Sequence, residues 1–199
     1  MKGHKYEKNK AIRSPLFYVG DKYKLMNQLS NLFPTNIETF YDVFSGGGSA
    51  ALNTTAKKFI LNDKNKNIVD LHMMLQKESC DIEQFIFRLK KQISNFGLSL
   101  SEDGSNQDIE DLKNEFPKVY FSKYNKNKYL EMRKKYNENK FNLELLYLLI
   151  VYGFNHMIRF NGKGEFNLPV GNLDWNKNVT KALHDYASWV KKNDVNISS

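Results

Sequence analysis

Cysteine is nearly absent from this chain of 199 residues, in which Cys80 is the only one. A disulfide within the chain is therefore impossible, which fits a reducing, intracellular compartment. Histidine is also scarce, and its four residues are scattered without the spacing of metal ligands. We therefore expect no metal site, and we expect His72, His156 and His184 to be structural or surface groups.

Long hydrophobic runs are missing as well. The first ten residues are polar and basic, which argues against a signal peptide. The longest apolar run, near Leu145 to Val151, is too short to cross a bilayer. The sequence therefore predicts a cytoplasmic protein with no membrane partner.

Positive charge and apolar side chains are plentiful by contrast. Lys and Arg number 30 against 22 Asp and Glu, which gives a formal net charge of +8. Such a surplus favours contact with a polyanion, most commonly nucleic acid, although an organism with Lys- and Asn-rich usage would produce it too. Because 41% of the residues are hydrophobic, the chain can bury the core of one large domain.

The first part of the chain alternates between strand and helix patterns. Short apolar segments predict strands at Thr39 to Phe44 and at Lys58 to Asn62. Helical spacing of apolar residues predicts helices over 25–32, from Ser49 onward and over 68–75. This alternation predicts an α/β fold with a parallel sheet.

A mainly helical block follows. Helices are predicted over 82–93, 129–136 and 143–154, a loop over 99–107, and an ordered loop or hairpin over 161–172. A last helix, about Asn176 to Val190, leads into a strand that starts at Asp194. We divide the chain into an α/β part at 11–76, a helical region at 77–174 and a return to the α/β part at 175–199.

Three consecutive glycines, Gly46 to Gly48, follow the first predicted strand. They permit a positive φ and let backbone approach a ligand closely. No Gly-Lys-Ser/Thr follows, which excludes a P-loop, and Ala51 breaks the dinucleotide pattern. Asp42, just before the turn, suits an amino-bearing ligand. Asp63 ends the next strand about twenty residues on, where nucleotide folds place an acid that binds ribose.

Three segments carry a family resemblance. They are Asp-x-Phe-x-Gly-x-Gly at Asp42 to Gly48, the aromatic and Gly-x-Lys segment at Phe17 to Leu25, and the acidic segment at Leu61 to Asn65. In this order they resemble the S-adenosylmethionine motifs of class alpha amino-group DNA methyltransferases. The similarity is greatest to DNA adenine-N6 methyltransferases of the Dam and DpnM type. It implies a Rossmann-like, S-adenosylmethionine-dependent methyltransferase fold with an inserted helical target-recognition region.

The resemblance also implies a set of residues that bind the cofactor S-adenosylmethionine. Tyr18 would pack near its methionine part, Asp42 and the glycine turn would hold the methionine end, and Asp63 would bind the ribose. The alternative role for both acids is to cap the ends of strands. The full set of implied cofactor residues is Tyr18, Gly20, Lys22, Asp42, Phe44, Gly46, Gly48 and Asp63.

A second motif, Arg159 to Gly171, mixes basic, amide, aromatic and glycine residues. Arg and Lys can donate to guanine, and Asn can pair with adenine. The alternative is a structural hairpin with Phe160 and Phe166 in a core, which we favour for those two residues. The motif resembles the recognition hairpin of Dam-type enzymes, many of which act at GATC. The resemblance implies that Arg159, Asn161 and Lys163 contact DNA within a hairpin near 155–172.

The family's catalytic Asp-Pro-Pro-Tyr is missing. None of the four prolines, at 15, 34, 117 and 169, lies in such a motif. The resemblance therefore implies no catalytic residue in this chain, and a sheet that is incomplete at the C-terminus. Three explanations stay open: a truncated methyltransferase, half of a split enzyme completed by a second polypeptide, or a protein that has kept only binding.

These observations predict a function. We expect adenine-N6 methylation of double-stranded DNA, at GATC or a related site, by a bacterial or phage restriction-modification enzyme, and we expect this chain to be inactive alone. A non-catalytic DNA-binding protein is one alternative. A methyltransferase that acts on a small molecule or a protein is another.

Overall fold

A three-stranded sheet organises the protein, whose computed structural model describes residues 11–104 and 107–199. Its strands are β1 (Thr39–Asp42), β2 (Lys58–Asn62) and β3 (Asp194–Ser198), all parallel, in the order β1-β2-β3. The predicted α/β arrangement with a parallel sheet is thus confirmed. The first strand ends at Asp42, two residues earlier than predicted, because the chain turns there into the glycine loop.

Aromatic side chains pack against Phe59 of the central strand β2. Phe59 of β2 lies opposite Phe40 of β1 and Val195 of β3 in the register. Its ring, fully buried, meets the Trp189 ring edge-on with the ring centroids 5.0 Å apart. Because all three strands are parallel, the carboxyl ends of β1 and β2 lie at one edge, where the predicted cofactor residues Asp42 and Asp63 follow.

Eight α-helices lie within the described residues: α1 (Met26–Leu29), α2 (Ser49–Leu52), α3 (Lys66–Glu78), α4 (Ile82–Phe96), α5 (Gln107–Glu115), α6 (Tyr120–Glu138), α7 (Leu143–Val151) and α8 (Lys177–Lys192). Polar caps start four of them, since the side chains of Asn65, Asp81, Asn142 and Asn176 each accept a backbone N–H. Left-handed Gly97 ends α4.

One predicted helix is much shorter in the structure, and one helix of the structure was not predicted. The helix expected over 25–32 is one α-helical turn, α1, between two short 3-10 turns. Leu25 and Leu32 are exposed there and only Met26 is buried, so no apolar face supports a longer helix. The polar helix α5 was not predicted, because Ile109 is its single buried residue.

Helix α7 forms the centre of the core. Every side chain from Leu145 to Val151 is buried, and the Tyr147 hydroxyl donates to the carbonyl of Pro15 at 3.1 Å. The apolar run is thus a core helix of nine residues. Nowhere in residues 11–104 and 107–199 does a helix have the length and hydropathy that a membrane span requires.

A hairpin follows α7, as predicted. Antiparallel bridges join Gly153 to Val170 and Phe160 to Phe166. Phe166 is 1% exposed and meets Tyr136 of α6 edge-on, so the expectation that it fills a core is confirmed. The hairpin is therefore anchored to the helical block rather than standing free.

Candidate functional site

The glycine loop links β1 to α2. The Ser45 N–H donates to the Asn62 carbonyl at 2.9 Å, which ties the loop to the end of β2. Gly46 and Gly48 have φ values of 48° and 76°, the left-handed region that favours glycine. A Cβ on Gly46 would lie 3.1 Å from the Tyr18 ring, so this turn needs glycine for both its conformation and its contact with Tyr18.

A cleft with a volume of about 150 Å³ opens between this loop and the segment around Tyr18. Six of the eight predicted cofactor residues line it: Tyr18, Gly20, Lys22, Asp42, Phe44 and Gly46. Lys22 donates to the Gly20 carbonyl at 2.8 Å, and Phe44 is 82% exposed at the rim. Segments far apart in sequence therefore meet in one concave site.

The other two predicted residues, Gly48 and Asp63, lie behind the loop. The Asp63 carboxylate accepts from the backbone N–H of Gly46 and of Asn65, each at 2.9 Å. A carboxylate offers about four lone-pair sites, so about two remain for a ligand. A Cβ on Gly48 would lie 3.3 Å from the His72 ring rather than in the cleft. Both residues thus support the loop in this structure.

Asp42 has the properties of a ligand-binding carboxylate. Burial is the main cause that raises its pKa, the backbone N–H of Ala51 opposes this, and the Asp63 charge adds to the rise. Its Oδ2 atom is buried and has no hydrogen-bond partner among the described residues, and the same holds for Ser49 Oγ in the cleft wall. Buried polar atoms without partners are costly, so a ligand with an amino group fits the site.

His72 is a site residue whose role the sequence did not reveal. Its ring is 1% exposed, with Nε2 2.8 Å from the Gly46 carbonyl and Nδ1 3.2 Å from the Tyr186 hydroxyl. A carbonyl only accepts, so Nε2 carries the hydrogen and Nδ1 accepts from Tyr186. The expectation of a structural histidine is confirmed. The sequence feature that could have indicated this role was the position of His72 on the apolar face of the helix predicted over 68–75.

His72 should make stability depend on pH. Burial is the largest cause that lowers its pKa. As pH falls through the ordinary value of about 6.5, the unfolded chain takes the proton first, so the free energy of unfolding should decrease. Urea denaturation at about pH 7.5 and about pH 5.5 should show a smaller decrease in His72→Gln than in the unchanged protein. The partly exposed His184→Gln is the control, and a decrease in His72→Gln as large as in the control would contradict the assignment.

The three predicted DNA contacts lie on the hairpin. The Arg159 guanidinium donates to Asn167 Oδ1 at 2.9 Å and to its carbonyl at 2.7 Å. Asn161 Oδ1 accepts from the N–H groups of Lys163 and Glu165, which shapes the turn. The Lys163 ammonium is exposed and has no partner among the described residues. Two of the three side chains therefore build the hairpin, and Lys163 is available to a ligand.

A direct contact joins the cleft to the base of the hairpin. The ring of Phe17, next to Tyr18, packs against the His156 ring at a tilt of 32°, with the ring centroids 5.1 Å apart, and the Arg13 guanidinium lies 4.8 Å from the Phe17 ring centroid. Phe17, Asn155 and His156 are the three non-glycine residues with positive φ within the described ranges. Strained backbone of this kind is found at functional sites, and here it lies at the contact between the cleft and the hairpin.

Comparison with known proteins places these features in a family. A family model described as D12 class N6 adenine-specific DNA methyltransferase matches residues 18–199. The chain is 37% identical over 162 residues to modification methylase StsI of Streptococcus sanguinis. It is 36% identical over 167 residues to the type II methyltransferase M.FokI of Planomicrobium okeanokoites, and 26% identical over 168 residues to the DNA adenine methylase of Escherichia coli.

These alignments cover most of this chain and a smaller part of each relative. They span 81%, 84% and 83% of the chain, but 21%, 22% and 49% of the StsI, M.FokI and Escherichia coli proteins, respectively. The chain therefore spans about a fifth of the first two relatives and about half of the third. The match to the family model runs from the segment that includes Tyr18 through β3. The chain belongs to the D12 class N6 adenine-specific DNA methyltransferase family.

Proposed function

We propose that this chain carries the S-adenosylmethionine-binding and target-recognition parts of an enzyme that methylates adenine N6 in double-stranded DNA. The observation that carries the proposal is the cleft, where Tyr18, Asp42 and the glycine loop converge in a member of this family. The parallel sheet between helices supports a Rossmann-like methyltransferase fold.

Four residues in or behind the cleft have groups that would bind the cofactor. Asp42 Oδ2, buried and without a partner, would accept from the amino group of the methionine part. The backbone of Gly46 and the ring of Tyr18, which lie against each other, would together form one wall of the site for the same part. Asp63 has lone pairs left for the ribose hydroxyls. When bound, S-adenosylmethionine supplies the methyl group that is transferred.

The hairpin is the part that would read DNA. Lys163 has a free ammonium at the tip, and Arg159 and Asn161 have the groups that pair with guanine and adenine. Both would have to exchange hydrogen bonds within the hairpin for hydrogen bonds to bases. We propose GATC or a related adenine-containing site as the target, tested by affinity for duplexes in which one base pair at a time is changed.

Methyl transfer itself should need a second contribution. The 199 residues contain no Asp-Pro-Pro-Tyr, the motif expected to hold the target adenine. We therefore expect no activity from these residues alone. Mass spectrometry of GATC-containing DNA incubated with the purified chain and cofactor tests this, and N6-methyladenine in the product would refute it.

Asp63→Ala should weaken cofactor affinity by about tenfold or more, because hydrogen bonds to a charged group are worth about 1.5–3 kcal/mol. Two effects contribute to this loss of affinity. The ribose hydroxyls lose an acceptor, and the Gly46 N–H loses its hydrogen bond to the Asp63 carboxylate. Calorimetric titration with S-adenosylmethionine measures it. The matched control is Asp70→Ala, an acid that pairs with Lys66 on the exposed side of α3.

Salt-dependent DNA binding should be the same in both variants. If Asp63→Ala leaves cofactor affinity unchanged, Asp63 is not part of the site. DNA binding by a chain that binds no cofactor would instead indicate a DNA-binding protein without methyltransferase function. Cofactor binding without salt-dependent DNA affinity would indicate a different substrate.

A further inference from the structure

The positive charge of the chain is concentrated in one segment. Residues 118–140, which include all of α6, contain eight Lys and Arg and two Glu, so they carry +6 of the formal +8. The exposed lysines of this segment repel one another in the absence of a polyanion. Such a concentration is the electrostatic footprint expected of a nucleic-acid contact.

Carboxylates of residues 11–104 and 107–199 do not pair with these cations. Elsewhere lysines pair with carboxylates, as in Lys66 with Asp70 at 2.6 Å and Lys181 with Asp185 at 2.6 Å. Among the described residues, none of the eight cations in 118–140 forms an ion pair. Lys123, Lys128 and Lys135 lie over aromatic rings instead. The charge of the segment is therefore available to an external anion.

Helix α6 is fixed beside the returning strand of the hairpin. Arg133 donates to the Leu168 carbonyl at 3.1 Å. Asn137 exchanges two hydrogen bonds with the backbone of Phe166, at 2.8 and 3.1 Å. Near the other end of α6, the Ser122 N–H donates to Asn172 Oδ1 at 3.1 Å. The helix and the strand thus run antiparallel and are fixed to each other. A DNA groove that the hairpin enters would therefore lie beside α6.

Two exposed lysines, Lys126 and Lys134, lie on the side of α6 whose Asn137 is hydrogen-bonded to the hairpin, and Lys134 lines one concave surface together with Glu165 of the hairpin. Lys126, Leu130, Lys134 and Asn137 recur at helical spacing on one side of the helix. Lys126 and Lys134 are exposed and lie about 12 Å apart along the axis, given a rise of about 1.5 Å per residue. Measured along the axis of a DNA duplex, that length corresponds to about three to four phosphates of one strand, at about 3.4 Å of axis each. Lys140 extends the row to the tip, with its ammonium 3.8 Å from the position of a Cβ on Gly164.

On the basis of the DNA-methylating function proposed above, we infer that Lys126, Lys134 and Lys140 form a phosphate-binding row along α6. This row binds the sugar–phosphate backbone of double-stranded DNA while the hairpin enters the adjacent groove. Phosphate contacts of this kind set register and affinity and carry no sequence information. The row therefore adds affinity for any duplex, and selectivity stays with the hairpin.

The double variant Lys126→Gln/Lys134→Gln tests the row against a control of equal charge, Lys191→Gln/Lys192→Gln, at the exposed end of α8. Fluorescence anisotropy with duplex DNA gives the dissociation constant over a series of salt concentrations. Removing two phosphate contacts should reduce the slope of log K against log salt by about 1.8, at about 0.9 per contact. Affinity should fall equally for all duplex sequences, and the control should keep the wild-type slope.

If the α6 variant and the control have equal slopes of log K against log salt, the phosphate-binding row is contradicted and the proposed function is not. A loss confined to one duplex sequence would also overturn the row, because that loss would indicate base reading. The absence of duplex binding by the unchanged protein would overturn both proposals. Cofactor affinity, measured on the same samples, should be the same in all three proteins.

Discussion

Replacing Asp42 by Asn should lower the affinity for S-adenosylmethionine by about ten- to a hundredfold, because it removes a charged hydrogen bond worth about 1.5–3 kcal/mol. The same change should raise the thermal midpoint of the protein without ligand. The Asp42 carboxylate is poorly solvated and lies in the field of Asp63, and Oδ2 lacks a partner within the described chain. If Asp42 binds the cofactor as proposed, the site sacrifices stability for ligand binding, as functional sites commonly do.

The pH dependence of Asp42 follows from its raised pKa. The folded protein takes up this proton at a higher pH than the unfolded chain does. The free energy of unfolding contributed by Asp42 therefore increases as pH falls through that window. The stability advantage of Asp42→Asn should accordingly shrink as pH falls from about 7 toward the ordinary Asp pKa of about 3.9, measured by thermal denaturation. Asp70→Asn is the control. A lower thermal midpoint together with unchanged cofactor affinity in Asp42→Asn would contradict this role.

Gly153→Ala should lower the free energy of unfolding by about 3 kcal/mol or more, at or above the upper range for overpacked sites. Gly153 lies where α7 gives way to the hairpin. A Cβ there would lie 2.5 Å from both the Leu149 carbonyl oxygen and Leu168 Cδ2. The first of these atoms is helix backbone, which cannot move without breaking the end of α7.

Gly162→Ala is the matched control, because a Cβ there meets nothing within 4 Å and its φ is not positive. Its stability should stay within about 1 kcal/mol of the unchanged protein. Urea denaturation compares the two. DNA affinity should also fall in Gly153→Ala, since the hairpin base is displaced. Equal stability of the two variants would show that the α7–hairpin junction is looser than the structure indicates.

Local pattern was sufficient to predict part of this molecule. The strand β2 has the predicted bounds because its apolar residues end sharply at Asn62 and Asp63. Two of the three motifs, around Tyr18 and around Gly46, line the cleft, and each contains a glycine with positive φ, Gly20 and Gly46. The predicted boundaries of the three regions and the roles in cofactor and DNA binding stay predictions.

The remaining features depend on tertiary contacts. The role of His72 arises because α3 packs beside α8, where Tyr186 supplies a hydroxyl. The constraint on Gly153 depends on the position of Leu168, fifteen residues later in the chain. The hydrogen bonds of Arg159 to Asn167 depend on the hairpin register. These contacts cannot be predicted from a local sequence pattern, because each depends on how distant segments pack.

Hydrogen exchange of the 199-residue protein with and without S-adenosylmethionine tests most directly whether the cleft holds the cofactor. We predict slower exchange of backbone amides in residues 14–22 and 42–50, which surround the cleft, and unchanged exchange at the hairpin tip, residues 161–165. Unchanged exchange around the cleft at saturating cofactor, or protection confined to another part of the protein, would contradict the proposed site.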